Sequence, residues 1–79
     1  MRFCWTEDVA RVIEAHSEGI TVPDIVKILY PGMTDPVDSR EARYRTINQC
    51  SRLKKSGRIL ADKVDGEKWS VFVPVEVRL

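Results

Sequence analysis

The segment from residue 38 to residue 57 constrains the fold most, because it carries the signals of a helix start and a helix end. Asp38 can accept hydrogen bonds from the first free amides, and Glu41, three residues later, completes a capping box. Gly57 can adopt the left-handed conformation that ends many helices. These signals predict a helix over residues 39–55.

This predicted helix has two unlike faces. At about 100° per residue, four residues that can pack together fall within an arc of roughly 120°. They are Thr46, Ile47, Cys50 and Leu53. The opposite side carries polar and charged residues, namely Glu41, Tyr44, Arg45, Asn48, Arg52 and Lys55. The pattern predicts that one side packs on a core and that the other can contact an anion.

The net charge of +1 conceals an uneven distribution of charge. Residues 1–38 contain three basic and seven acidic side chains, and residues 59–79 contain three basic and four acidic ones. Residues 39–58 contain seven basic side chains and one acidic side chain, a net charge of +6. A phosphate group responds to the local field more than to the total charge. The positive segment therefore favours a nucleic-acid partner.

A first helix is predicted near the start of the chain. Thr6 is a suitable N-cap, and Trp5 before it is expected to pack on Ala10 as a hydrophobic staple. The apolar spacing continues to about Glu18, and Gly19 is expected to stop the helix. The side chains expected to be buried in this helix are Val9, Val12 and Ile13.

A second, shorter helix is predicted to begin at Thr21 and to end near Tyr30. Thr21 is a capping residue, and Pro23 suits the first turn, where its missing N–H costs nothing. Its expected apolar stripe is Ile25, Ile28 and Leu29. Turn residues then predict a loop over residues 31–37.

After the third helix the hydrophobic period changes from 3.6 residues to 2. Residues 58–64 and 69–73 alternate like strands, and the Asp-Gly pair in residues 65–67 is typical of a hairpin turn. The tail over residues 74–79 alternates again, which is compatible with an edge strand, a dimer contact or a frayed end. The chain is therefore predicted to end in a two-stranded antiparallel hairpin.

Length and composition favour one globular domain over residues 1–79. The longest apolar run is too short to span a bilayer, and the N-terminus lacks the sections of a signal peptide. We therefore expect a cytoplasmic protein, associated with the nucleoid if its source is prokaryotic or viral. We expect no membrane partner and no small-molecule ligand.

Residues with catalytic or metal-binding chemistry are sparse. Cys4 and Cys50 are the only cysteines, and a reduced thiol on the packing face of a helix behaves as a small hydrophobe. Together with His16 they provide three candidate zinc ligands, whereas a structural site needs four. The chain has no phosphate-binding glycine loop and no recognisable spacing of nucleophile and base. We expect no disulfide, metal, cofactor or enzymatic activity.

The order of three helices and a hairpin resembles the winged-helix family of DNA-binding domains. Thr46-Ile47 and Leu53 are similar to core positions of the family's recognition helix, and Ser56-Gly57-Arg58-Ile59 is similar to the junction with its first wing strand. Thr21 resembles the polar residue that opens the family's second helix. The resemblance implies an α+β fold, a winged helix with a three-helix core followed by the hairpin.

The resemblance extends over roughly residues 6–73 and also implies a mode of binding. Helix 39–55 would enter the major groove of double-stranded DNA, and hairpin 58–73 would contact the DNA as a wing. Because one small domain makes few contacts, we expect a homodimer. The implied function is regulation of transcription.

The side chains on the predicted groove face suit this mode of binding. Asn48 and Gln49 can pair with adenine, and Arg45 or Arg52 can pair with guanine. Tyrosine can stack or donate to a phosphate, and the remaining cations suit phosphates. The predicted DNA-binding residues are Arg40, Tyr44, Arg45, Asn48, Gln49, Arg52, Lys55, Lys63 and Lys68.

An alternative function is a winged-helix module that binds another protein without contacting nucleic acid. The acidic first half of the chain, or the alternating tail with Val75, Val77 and Leu79, would then form the contact. Duplex RNA is disfavoured as a partner because the major groove of the A-form helix is too narrow for an α-helix.

Overall fold

The computed structural model describes residues 3–62 and 70–75, which contain three helices and one three-stranded antiparallel sheet. The helices are α1 (Thr6–Glu14), α2 (Val22–Leu29) and α3 (Pro36–Lys55), and the strands are β1 (Ile20–Thr21), β2 (Ile59–Asp62) and β3 (Val71–Pro74). The predicted α+β class is confirmed. β2 and β3 pair antiparallel, as the predicted hairpin strands would, and β1 is a third strand that was not predicted.

The strands lie in the order β1-β3-β2, so the last strand of the sequence is the central one. β1 pairs with β3 through Ile20 opposite Phe72, and β2 pairs with β3 through Ala61 opposite the same Phe72. A strand of two residues is too short to show an alternating pattern, which is why the sequence did not reveal β1. The predicted hairpin turn at 65–67, the predicted strand ends around it and residues 76–79 lie outside the described residues.

α1 begins at Thr6, one residue before the predicted start, because Thr6 is not the N-cap as predicted, and the helix ends about one turn early. Its N-cap is Trp5, whose N–H donates to a carboxylate oxygen of Asp8 at 2.8 Å. The helix ends at Glu14 rather than near Glu18, and the chain then turns toward β1. Gly19 has φ +108°, and a Cβ there would overlap the side chain of Val71 on β3. The early end lets the chain turn into β1, with Gly19 close to Val71 of the neighbouring strand.

α2 has the predicted limits and a different buried face. Thr21 is the N-cap residue, but its hydroxyl donates to the Asp24 carboxylate at 3.2 Å instead of accepting from a helix amide. The buried residues are Val22, Ile25 and Val26. The expectation that Ile28 is buried is wrong, because α2 packs through the side carrying Val22 and Val26 against the start of α3.

α3 starts three residues before the predicted boundary. Its N-cap is Asp35, not Asp38, and the Asp35 carboxylate accepts from the N–H of Val37 at 2.8 Å and of Asp38 at 3.4 Å. Pro36 follows at the first helical position, where proline needs no N–H donor. The preceding loop therefore covers residues 31–35 rather than 31–37. The helix ends at Lys55, as predicted.

Two neighbouring groups of buried side chains form the core. The larger group joins α1 to the second half of α3 and to β2, and includes Val9, Ile13, Cys50, Leu53 and Ile59. The smaller group joins α2 to the first half of α3 and includes Val22, Val26, Tyr30 and Ala42. Phe72 of β3 packs against both groups. α3 therefore has one side covered along most of its length.

The helices of the described part are too short or too polar to cross a membrane.

Candidate nucleic-acid interface

The buried side of α3 consists of Ala42, Thr46, Gln49, Cys50 and Leu53. Thr46 satisfies its hydroxyl within the helix by donating to the Ala42 carbonyl at 2.8 Å. Cys50 lies at the centre of the core, and burial raises the pKa of its thiol to about 12. These residues orient the helix, so the positions opposite them face away from the protein.

The structure corrects two positions on this helix. Gln49, predicted as a base-reading residue, is only 8% exposed, and its Nε2 donates to the Cys4 carbonyl at 2.9 Å. Ile47, predicted to pack, is 40% exposed. The two differences have one cause. The N-terminal segment lies along the side of α3 that carries Gln49, so the buried side of the helix includes Gln49 and leaves Ile47 exposed. The prediction that Gln49 lies on the groove face is therefore wrong.

The other predicted residues of α3 lie together on its exposed side. We call this set the basic face: Arg40, Tyr44, Arg45, Asn48, Arg52 and Lys55. Positions 40 and 55 are separated by about 22 Å along the helix axis, at 1.5 Å per residue. Glu41 is the acidic residue on the same side, and the cations Arg43 and Lys54 are exposed at its margin.

Among the described residues, the acidic first half of the chain forms ion pairs with one cation of the positive segment, Arg58. Within residues 3–62 and 70–75, the ion pairs join Arg58 to Glu7 and Glu14 of α1. Its distance from the Glu14 carboxylate is 3.3 Å. Arg58 follows α3 and is not part of the basic face. In the described part of the chain, the cations of that face therefore keep their charge for an external anion.

Arg45 is held by an aromatic contact. Its guanidinium carbon lies 4.3 Å from the centre of the Phe3 ring, within the range of a cation–π interaction. Phe3 in turn packs edge-on against Tyr30, with ring centres 6.4 Å apart. The contact restricts Arg45 to one flank of the basic face and leaves its positive charge in place.

The N-terminal segment is a part of the site that the sequence did not predict. Trp5 is 76% exposed and does not form the expected contact that would bury it on Ala10. A cleft of about 330 Å³ separates this segment from α3, and it is lined by Phe3, Cys4, Trp5, Thr6, Arg45, Asn48, Gln49 and Arg52. The sequence offered one indication, the two aromatic residues Phe3 and Trp5 close together. Only the fold shows that they lie beside α3.

Two predicted cations cannot be placed. Lys63 and Lys68, expected to contact phosphate from the wing, lie outside the described residues, as does Trp69. In the part that is described, His, Cys, Asp and Glu side chains form no group of three that can hold a metal ion.

Comparisons with protein-family models, with curated proteins and with solved structures found no match. The functional assignment therefore depends on the geometry and charge of the basic face.

Proposed function

We propose that this protein binds double-stranded DNA by inserting α3 into the major groove, as a regulator of transcription with a winged-helix arrangement. The observation that carries the proposal is the basic face itself. Its cations are exposed on one side of a helix whose other side is buried along most of its length. A groove about 12 Å wide admits such a helix.

The order of the elements supports the winged-helix arrangement. β1 lies between α1 and α2, and β2 and β3 follow α3, so the sheet continues directly from the end of the proposed recognition helix. Gly57, with φ +81°, makes the turn between α3 and β2. The segment between β2 and β3 contains Lys63 and Lys68, to which we assign phosphate contacts as part of the same proposal.

The basic face separates into base-reading and phosphate-binding side chains. Asn48, near the middle of the helix, suits adenine, and Arg45 and Arg52 on either side suit guanine. Arg40 and Lys55 lie at the two ends of the basic face, where the helix would leave the groove and meet the phosphate backbone. A single copy offers few base contacts, so we propose that two copies bind one site.

The test is the affinity of an Arg45→Glu/Arg52→Glu variant for a fluorescently labelled DNA duplex, measured by anisotropy. Each arginine–guanine pair contributes about 1–3 kcal/mol, so we expect the double variant to bind at least about thirtyfold more weakly. Both positions are exposed, and circular dichroism should show an unchanged fold. Equal affinities of the variant and the wild type would refute the proposal.

A matched control is available on α1 and α2, outside the basic face. Arg11 on α1 and Lys27 on α2 are also exposed, and Arg11→Glu/Lys27→Glu changes the net charge by the same amount. We expect this control to bind within about threefold of the wild type, because neither side chain belongs to the basic face. If both double variants lose affinity equally, total charge and not the basic face controls binding.

One observation favours a second function, binding of another protein. β2 lies at an edge of the described sheet and exposes Leu60 to 56%, which suits the addition of a strand from a partner. Under this alternative the Arg45→Glu/Arg52→Glu variant keeps its partner, whereas Leu60→Asp loses it. A pull-down with both variants separates the two functions.

A further inference from the structure

We propose that the cleft between residues 3–6 and the basic face binds one unpaired nucleotide, so that the protein prefers a duplex carrying a single-stranded extension over a blunt one. This proposal depends on the proposed DNA-binding function, since the same arginines serve both. It adds a second binding element, the N-terminal segment, and a preference for a particular DNA structure.

The walls of the cleft have the composition that nucleotide binding requires. Trp5 provides exposed aromatic surface on one wall, and Arg52 provides a guanidinium group on the other. Arg45 also lines the cleft, with its guanidinium over the Phe3 ring. The volume of about 330 Å³ lies near the lower end of the range for small-ligand pockets, about 300–1,000 Å³. A cleft of this size accommodates one nucleotide and excludes a duplex.

Hydrogen bonds to α1, to α3 and to Tyr30, the residue after α2, hold the backbone of the aromatic wall in place. The Cys4 N–H donates to the Tyr30 hydroxyl at 2.9 Å, and the Cys4 carbonyl accepts from Gln49 of α3 at 2.9 Å. The Trp5 N–H donates to the Asp8 carboxylate of α1 at 2.8 Å. The backbone of the segment is therefore fixed before a ligand binds, and stacking on Trp5 carries little cost of ordering.

The buried side chain of Gln49 lines the cleft and has one oxygen without a hydrogen-bond donor among the described residues. Gln49 is 8% exposed and uses its Nε2 on the Cys4 carbonyl, while its Oε1 accepts no hydrogen bond from the described residues. Buried polar groups are nearly always paired, and an exception calls for an explanation. This oxygen is itself buried, so Gln49 supports the cleft through its hydrogen bond to Cys4 and is assigned no contact with the base.

The exposed indole of Trp5 favours an unpaired nucleotide over a paired one. Trp5 leaves 76% of its surface exposed, beside two guanidinium groups that attract phosphate. A base in the interior of a duplex has both faces covered by its neighbours, so it cannot also stack on a side chain. The terminal base of a blunt duplex has a free face, but it remains paired, and the cleft excludes a base pair. A base in a single-stranded extension has a free face and can stack on the indole.

The experiment compares a blunt DNA duplex with the same duplex carrying a short single-stranded extension, tested in both polarities by fluorescence anisotropy. One stacked base is worth roughly a tenfold difference in affinity, so we expect the wild type to favour the extended duplex by about tenfold. Trp5→Ala should bind both duplexes equally, at the wild-type affinity for the blunt one. Trp5→Phe should keep part of the preference, because a phenyl ring still stacks.

Tyr44→Ala is the matched control, because Tyr44 is an exposed aromatic residue of the basic face outside the cleft. It should keep the preference for the extended duplex even if it binds both duplexes more weakly. Equal binding of both duplexes by the wild type overturns the cleft proposal and leaves the proposed function standing. If the Trp5→Ala variant still prefers the extended duplex, the cleft proposal is also overturned and the proposed function also stands. Failure of the wild type to bind either duplex overturns the proposed function.

Discussion

Gly19 occupies a backbone position that no other residue fills without strain. Its φ of +108° disfavours residues with a Cβ, and a Cβ would also overlap the Val71 side chain. We expect Gly19→Ala to lower the free energy of unfolding by about 2–4 kcal/mol, because backbone strain and overpacking add together. Urea unfolding followed by circular dichroism measures this change.

Gly57 provides the control for that substitution. Its φ is +81°, but a Cβ there would meet nothing within 4 Å. Gly57→Ala should therefore cost only the conformational strain, roughly 1–2 kcal/mol. If the two variants were equally destabilised, the close approach of Gly19 to the sheet would not contribute to stability.

The two cysteines should differ in their reactivity. Cys50 is completely buried and burial raises the pKa of its thiol to about 12, whereas Cys4 is half-buried near the cleft. Because the thiolate is the reactive form, we expect iodoacetamide to modify Cys4 first and Cys50 only after unfolding. Mass spectrometry of the labelled peptides, with urea-unfolded protein as the reference, tests this order. Equal labelling in the folded protein would contradict it.

The composition of the basic face could be predicted residue by residue, with one exception that is physically informative. Six residues of α3 lie on the exposed side as their spacing indicated. Gln49 does not, because it donates to the carbonyl of Cys4, a residue 45 positions earlier in the chain. Helical periodicity contains no information about such a distant partner, so the side of Gln49 could not be deduced from the wheel alone.

At the scale of elements, the start of α3 depends on Asp35. Its carboxylate accepts hydrogen bonds from two amides of the first turn, which an alanine cannot do. We expect Asp35→Ala to lower the free energy of unfolding by about 1 kcal/mol. Asp38→Ala should cost less than about 0.5 kcal/mol, because Asp38 provides only a favourable charge near the helix start. If urea unfolding showed a larger loss of stability for Asp38→Ala than for Asp35→Ala, Asp38 would be the cap.

α1 and the end of α3 are joined by the ion pairs of Arg58, which make stability depend on pH. The Arg58 guanidinium donates to the Glu7 carboxylate and thereby lowers the pKa of Glu7. The unfolded chain keeps the ordinary glutamate value, about 4.3, and takes up a proton first as the pH falls. The stabilisation is therefore present above that pH and is lost as the pH falls through the lower folded value.

We expect the free energy of unfolding of Glu7→Gln to fall less than that of the wild type as the pH is lowered from neutral to acidic values. Glu18→Gln is the control, since Glu18 is exposed and forms no ion pair with the described residues. Urea unfolding at several pH values gives both profiles. An unchanged profile in Glu7→Gln would show that the pair with Arg58 does not contribute to stability.

The helices were predictable because each has a local start or stop signal and a periodic apolar stripe. Two helix limits differ from the prediction: α1 ends early, where the chain turns toward β1, and the Asp35-Pro36 pair, itself a local signal, starts α3 before the expected cap. β1 was not predictable, because its two residues become a strand only by pairing with β3. Local signals thus determine the helices, whereas long-range pairing determines β1.

For the whole molecule, the separation of charge predicts a strong dependence of DNA binding on salt. The exposed cations of α3 can neutralise about four to six phosphates, so log affinity should fall with log salt at a slope of about −4 to −5. Lys55→Ala should reduce the magnitude of this slope by about one, and Asn48→Ala should leave it unchanged. Anisotropy titrations over a salt series measure the slope. A slope near zero would contradict binding through phosphates.

The position of β3 between β1 and β2 also determines when the sheet can assemble during protein synthesis. Within the described residues, both earlier strands pair only with β3, so a nascent chain that stops before Val71 has three helix-forming segments and no strand pairing. The sheet beneath the end of α3 can therefore pair only after residues 71–74 have been synthesised, which makes it the last part of the described fold to form.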